Sequence, residues 1–150
     1  MGIRVFIGGI MQGSRRDGGI DDQNYRDKIA AVLRRHLPAV EILDPWVLYP
    51  DSVAYDFERA KRTFFDLTAL AGEADVLVAY LPEASMGTAI EMWSAHQAQV
   101  PIYTISPLID NWVVMLLSTQ VFPDIPAFAH FVADGGLDTV KCEGNATATG

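Results

Sequence analysis

Two spacings of hydrophobic residues alternate along this chain. Ile3 to Ile7, Val40 to Leu43, Val76 to Leu81, Pro101 to Ile105 and Ala127 to Val132 are short apolar runs. They lack the polar alternation of a half-exposed strand, which is the pattern of strands covered on both faces. Between them the apolar residues recur at helical spacing. Tyr25, Ile29, Val32 and Leu33 form one stripe, ended by Pro38. Val53, Phe57, Phe64, Leu67 and Leu70 form an inward-facing stripe in a long helical segment from Ser52 to Glu73. A third helix opens at Thr88 and carries Ile90, Trp93 and Ala98, and a short one spans Trp112 to Leu117. Asp21 or Asp22 is placed to cap the first helix, and Asp110 or Asn111 the last. Val121 to Pro126 reads as an irregular link, and Leu137 to Cys142 as a terminal helix fragment.

Strands alternating with helices predict an α/β fold. The expected architecture is one doubly wound domain with a five-stranded, mainly parallel sheet, helices on both faces and right-handed crossovers. In the flavodoxin-like order 2-1-3-4-5, the crevice at the switch point lies between the first and third strands. That would set Gly8 and Gly9 opposite Ser85, Gly87 and Glu91. The domain is expected over residues 1–142, with 143–150 a small, polar, frayed tail.

Composition narrows the function classes. With 150 residues the chain suits a single domain with a real core. Its net charge of -8 argues against a nucleic-acid polymer or an anionic membrane as partner, since phosphate backbones need a basic surface. Cys142 is the only cysteine, which excludes an intrachain disulfide and a cysteine-based zinc site. His36, His96 and His130 show no metal-ligand spacing, so no metal is expected, nor any organic cofactor. No apolar run reaches membrane-spanning length, and the opening residues show no signal-peptide pattern. A cytoplasmic enzyme or binding domain fits these features.

The candidate chemistry gathers at the carboxyl ends of the strands. Gly8, Gly9 and Ile10 begin a glycine-rich loop running to Gly13 and Ser14. Its spacing is neither the dinucleotide fingerprint nor a P-loop. Such a loop either cradles an anion with its backbone N–H groups or is a plain turn of small residues; Arg15 and Arg16 just beyond it could add charge. Trp46, in a loop expected at Asp44 to Trp46 and Tyr49 to Asp51 after the second strand, either stacks on a flat ligand or packs as a satellite. Asp66 borders a buried stripe where it opposes the helix dipole, so it has no evident stabilising purpose. Glu91 falls in the first turn of its expected helix, where the dipole favours the ionised form. It is either a helix-end charge or a nucleophile presented to a ligand. A flavodoxin-like signalling domain would want an acidic pocket at the first strand's end, where this chain has Gly8 and Gly9.

From Arg4 to about Leu117 the chain resembles the nucleoside 2-deoxyribosyltransferase superfamily, which includes 2′-deoxynucleoside 5′-phosphate N-hydrolases. The resemblance rests on a strand followed by Gly8 and Gly9, Tyr25 in the first helix, Asp66 ahead of Ala74 to Ala79, and Gly87 to Glu91. It implies that Glu91 attacks the anomeric carbon and forms a glycosyl-enzyme intermediate. It implies that Asp66 orients the sugar or passes a proton to the leaving base. The loops at Gly8, Gly9 and Ile10 and at Ser85 and Gly87 would hold the sugar and its 5′ substituent. It further implies a small-molecule nucleoside or nucleotide as partner, and a homodimer or higher oligomer sharing active sites, with Asn111 lent by a neighbour. Ser85 stands where the transferases carry Asp, and a neutral hydroxyl suits a phosphate. Met11 stands where the hydrolases carry an arginine, which Arg15 or Arg16 would replace. The expected activity is cleavage of the N-glycosidic bond of nucleoside 5′-monophosphates. The alternatives are base exchange between deoxynucleosides and non-catalytic nucleotide sensing.

Overall fold

A computed structural model describes residues 2–140. The strands are β1 (Arg4–Gly9), β2 (Glu41–Leu43), β3 (Val76–Tyr80), β4 (Ile102–Ile105) and β5 (Gln120–Phe122). They form one parallel sheet in the order β2-β1-β3-β4-β5. The helices are α1 (Asn24–His36), α2 (Pro45–Leu48), α3 (Phe57–Glu73), α4 (Met86–Gln97), α5 (Trp112–Leu117) and α6 (Ile125–Ala133).

The apolar runs that read as doubly covered strands divide their side chains between two cores. Val5, Ile7, Val76, Val78 and Tyr103 point to one face and pack with Ile29 and Leu33 of α1 and Phe128 of α6. Phe6, Leu77, Ala79 and Ile102 point to the other and pack with Ala71 of α3, Met92 of α4 and Val114 of α5. Period-two alternation therefore operates, but both halves of it are apolar.

The fifth strand is not the expected Ala127 to Val132. That stretch lies in α6, and β5 is instead Gln120–Phe122, inside the expected link. The helix wins for local reasons. Asp124 accepts from Ala127 N–H at 2.8 Å as N-cap, Pro126 sits in the first turn, and Phe128 and Val132 meet the core four residues apart. Two other expectations shift. Asp44 to Trp46 is not a loop but the start of α2, capped by Asp44. The long segment from Ser52 breaks into a 3₁₀ turn, Ser52–Ala54, and then α3, capped by Asp56. The terminal fragment begins as a helical turn near Asp138, and its end and the tail at 143–150 lie outside the described residues.

The face of α3 also differs from its expected stripe. Val53, Phe57 and Phe64 are exposed, Leu67 and Leu70 are half-buried, and the fully buried residues of α3 are Thr63 and Ala71. Small residues face inward because α3 packs closely on α4. A Cβ on Gly72 would come 3.0 Å from Ser94 Oγ, whose hydroxyl donates to Thr68 O at 2.7 Å. In α4, likewise, Thr88, Met92 and Ala95 are buried, while Ile90 and Trp93 face outward. No helix among the described residues is long and apolar enough to cross a membrane.

Candidate active site

The loops after β1, β2 and β3 meet at the switch point and enclose a cavity of about 370 Å³. Glu91 and Arg26 line it, together with Ser85 and Thr88 and with Phe64 and Leu67 of α3. Among the described residues, Glu91 is the only acidic group and Arg26 the only basic group lining it.

Local structure explains how Glu91 reaches the cavity. Ser85 caps α4 in an extended conformation and accepts hydrogen bonds from Thr88 N–H at 3.4 Å and from Thr88 Oγ1 at 3.0 Å. The helix therefore begins at Met86, earlier than the expected Thr88. Glu91 consequently lies past the first turn, where the helix dipole is weaker. Its Oε2 lies 2.8 Å from the point a Cβ on Gly8 would occupy, so any side chain at position 8 would collide with the carboxylate. Burial pushes the Glu91 pKa up to about 8, with the Arg26 guanidinium acting in the opposite direction.

Arg26, on α1, is 2% exposed. Its Nη1 donates to Asp44 Oδ1 at 2.9 Å and to Ile7 O at 3.0 Å, and its Nε donates to Gln23 Oε1 at 2.8 Å. β2 ends opposite Phe6, so beyond it the outer edge of β1 has no strand partner. The guanidinium takes that place. Asp44 is also buried and caps α2 through Trp46 N–H at 3.0 Å. Arg26 and Asp44 carried no functional expectation. The only sequence signal was an arginine directly after Tyr25 and one turn before Ile29 and Ala30.

The other expected site residues separate into three groups. Ser85 and Gly87 line the cavity with Glu91, as does Gly9. Gly8, Ile10 and Tyr25 lie behind its wall. Tyr25 is buried against Gly9, where a Cβ would overlap its ring. Its hydroxyl donates to Ile10 O at 3.0 Å, and it stacks on Tyr80 at 4.3 Å between centroids. Burial raises the Tyr25 pKa, so it stays a neutral hydrogen-bond donor.

Asp66, Arg15, Trp46 and Asn111 are outside the cavity lining. Asp66 is exposed on α3, while Thr63 and Leu67 on the same helix turn inward. Arg15 is exposed and held by Asp21 at 2.9 Å and Asp17 at 3.3 Å; these partners, Asp21 first, raise its pKa. Trp46 is half-buried beside Asp44. Asn111 caps α5, accepting from Val113 N–H at 3.0 Å and Val114 N–H at 3.4 Å. No group of His, Cys, Asp and Glu among the described residues is arranged to hold a metal ion.

No protein-family model matches the chain, and no curated protein matches its sequence. Solved structures do match. A 2-deoxyribosyltransferase from the psychrotolerant bacterium Bacillus psychrosaccharolyticus superposes with a TM-score of 0.69 at 17% identity, covering 91% of this chain and 95% of that one. A conserved protein from Enterococcus faecalis gives a TM-score of 0.62 at 14% identity, covering 89% and 98%. A CMP N-glycosidase from Clostridium botulinum gives 0.50 at 16% identity, covering 91% and 98%. The chain thus has the fold of the nucleoside 2-deoxyribosyltransferase superfamily.

Proposed function

We propose that this chain, built on the nucleoside 2-deoxyribosyltransferase fold, cleaves the N-glycosidic bond of nucleoside 5′-monophosphates with Glu91 as nucleophile. The observation that carries the reading is the Glu91 carboxylate, seated against Gly8 in the switch-point cavity. A helix-end charge with no further role would not be drawn into a site that raises its pKa to about 8. In support, this fold is shared with a deoxyribosyltransferase and a CMP N-glycosidase.

The chemistry runs in two displacements. The ionised Glu91 attacks the anomeric carbon, and the carbon–nitrogen bond breaks with its electron pair leaving on the base. Water then attacks the same carbon, releases the carboxylate and gives up its proton. The departing base needs a proton as well. Asp66 was the expected source, but no second carboxylate lines the cavity among the described residues. We assign this proton to solvent water entering the open mouth.

The phosphate would lie at the start of α4. Ser85 Oγ already accepts from Thr88, which leaves its own O–H free to donate. The neighbouring N–H groups of the first turn suit an anion. One observation favours the transferase alternative. Arg15 is tied to Asp17 and Asp21 outside the cavity, so among the described residues no free cation meets a phosphate there.

The proposed homodimer has support in the outward face of α3, α4 and α5. Phe57 (76% exposed), Met86 (82%) and Trp112 (75%) are a large apolar investment for a surface meeting only water. Met86 also lines the cavity, so a second copy seated there would border the active site.

The deciding assay offers nucleosides and their 5′-monophosphates, each with and without a second free base. Base release from monophosphates alone supports the hydrolase. Base exchange between unphosphorylated nucleosides transfers the assignment to base exchange. Tight binding without turnover of any substrate leaves only a nucleotide sensor.

A further inference from the structure

We infer that Arg26 recognises a 2′-hydroxyl, and that the sugar taken by the Glu91 cavity is ribose rather than 2-deoxyribose. The inference deepens the glycosidase reading and rests on it.

It begins with a count of donors. A guanidinium has five N–H bonds. Three are used in the protein: Nε on Gln23 Oε1, and Nη1 on both Ile7 O and Asp44 Oδ1. The two on Nη2 have no partner among the described residues, although the side chain is 2% exposed and lines the cavity. Among the described residues no fully buried side-chain nitrogen or oxygen lacks a partner, so the unused arm is open to the cavity, where it is suited to a ligand acceptor.

The position of that arm identifies the acceptor. Nη1 is fixed on the carbonyl of Ile7, and Oε2 of Glu91 lies against the next residue, Gly8. The two groups thus meet β1 at consecutive residues and line the same cavity. Glu91 approaches the anomeric carbon from the face opposite the base, as displacement at that carbon requires. In a β-ribonucleoside the 2′-hydroxyl projects on the same face as the attacking group, while the base projects on the other. A donor beside the nucleophile therefore meets the substituent on C2, not the base. A 2-deoxy sugar offers hydrogen there and leaves that donor to water.

The pair with Asp44 keeps the recognition local. Because Asp44 already balances its charge, Arg26 adds no net attraction for phosphate at this point. Its contribution is directional, as a site built to bond a hydroxyl rejects the analogue that lacks it.

The test compares three sugars carrying the same base and 5′-phosphate: ribose, 2-deoxyribose and arabinose. The arabino isomer keeps the electron-withdrawing 2′-hydroxyl but turns it to the base's face. It therefore separates recognition from intrinsic reactivity. Affinities are measured by calorimetry on Glu91→Gln, which binds without turnover, and kcat/KM on the unsubstituted protein. The ribonucleotide should bind about 10- to 100-fold tighter than both others, the span expected for a hydrogen bond to a charged group.

Arg26→Lys, placed in the Glu91→Gln background, keeps a cation for Asp44 and removes the second arm. It should bring the three affinities together. If it does not fold, Arg26→Met with Asp44→Leu removes both buried charges and tests the same loss. Equal binding of ribose and deoxyribose forms overturns the inference, even with rapid base release, which leaves the glycosidase reading standing. A ribose preference unchanged by either variant overturns the role of Arg26. Selective ribonucleotide binding with no base release from the active protein retains the recognition and rejects the glycosidase reading. Failure to bind any of the three overturns both.

Discussion

Oε2 of Glu91 and the α-carbon of Gly8 are so close that a single added methyl group at position 8 would stand 2.8 Å from the carboxylate. The distance is below any normal contact, and the carboxylate is the far end of a rotatable chain. In Gly8→Ala the backbone should hold and Glu91 should swing aside. We expect kcat/KM to fall about 100-fold, the scale of a misplaced reacting group. The melting temperature should change little. An active Gly8→Ala enzyme would show that the seat of Glu91 is not needed.

Glu91→Gln removes the nucleophile and keeps the shape of the protonated acid. Loss of activity should reach about 10³-fold or more, since among the described residues no other carboxylate lines the cavity. Nucleotide affinity measured by calorimetry should survive. Substantial turnover by this variant would require another nucleophile.

The pH dependence follows from the pKa of about 8. Attack needs the ionised form, so kcat/KM should climb with pH and level off above about 8. Stability runs the other way. The folded protein holds the Glu91 proton more tightly than the unfolded chain, where a glutamate has its ordinary value of 4.5. The stability linked to that proton is fully present below the unfolded value and is lost as pH rises through the folded one. Glu91→Gln should therefore melt like the unsubstituted protein near pH 4 and above it at pH 9. Thermal melts at both values decide the matter.

Asp44→Ala should destabilise the domain by about 3–5 kcal/mol, the range for breaking a buried pair from one side. The charge of Arg26 would stay buried, and α2 would lose its cap. Urea unfolding measures this. A loss under 1 kcal/mol would mean that water reaches Arg26 freely.

Asp66→Asn should leave kcat within about threefold, because surface substitutions away from a site change little. Asp66 is exposed and outside the lining. A large loss, with unchanged melting, would restore the proton-donor role that the family resemblance implies.

Much of this arrangement was legible before any coordinates. Runs such as Val76 to Leu81 are long enough for strands and too uniformly apolar to face water, so the parallel sheet and its order followed. Glu91 and Gly8 were brought to one crevice by topology alone. The fifth strand was misplaced because Ala127 to Val132 is apolar in either conformation, and the decision lay in the Asp124 cap and Pro126. Asp66 borders the stripe that the spacing of Phe57, Phe64 and Leu67 suggests, but the buried positions of α3 are Thr63 and Ala71, and Phe57 and Phe64 are exposed. Arg26 was not visible, because a buried arginine is unusual and its partner Asp44 lies 18 residues away.

The close approach of α3 and α4 at Gly72 and Ser94 carries a consequence for substrate range. One helix supplies lining residues of the cleft and the other its reactive acid, and they meet at a point where even a Cβ would be tight. Enlarging that contact, as in Gly72→Val, would spread the jaws without altering a single residue that a nucleotide touches. Bulkier bases should then gain rate relative to small ones, which makes the breadth of acceptance a property of the helix contact and not of the mouth.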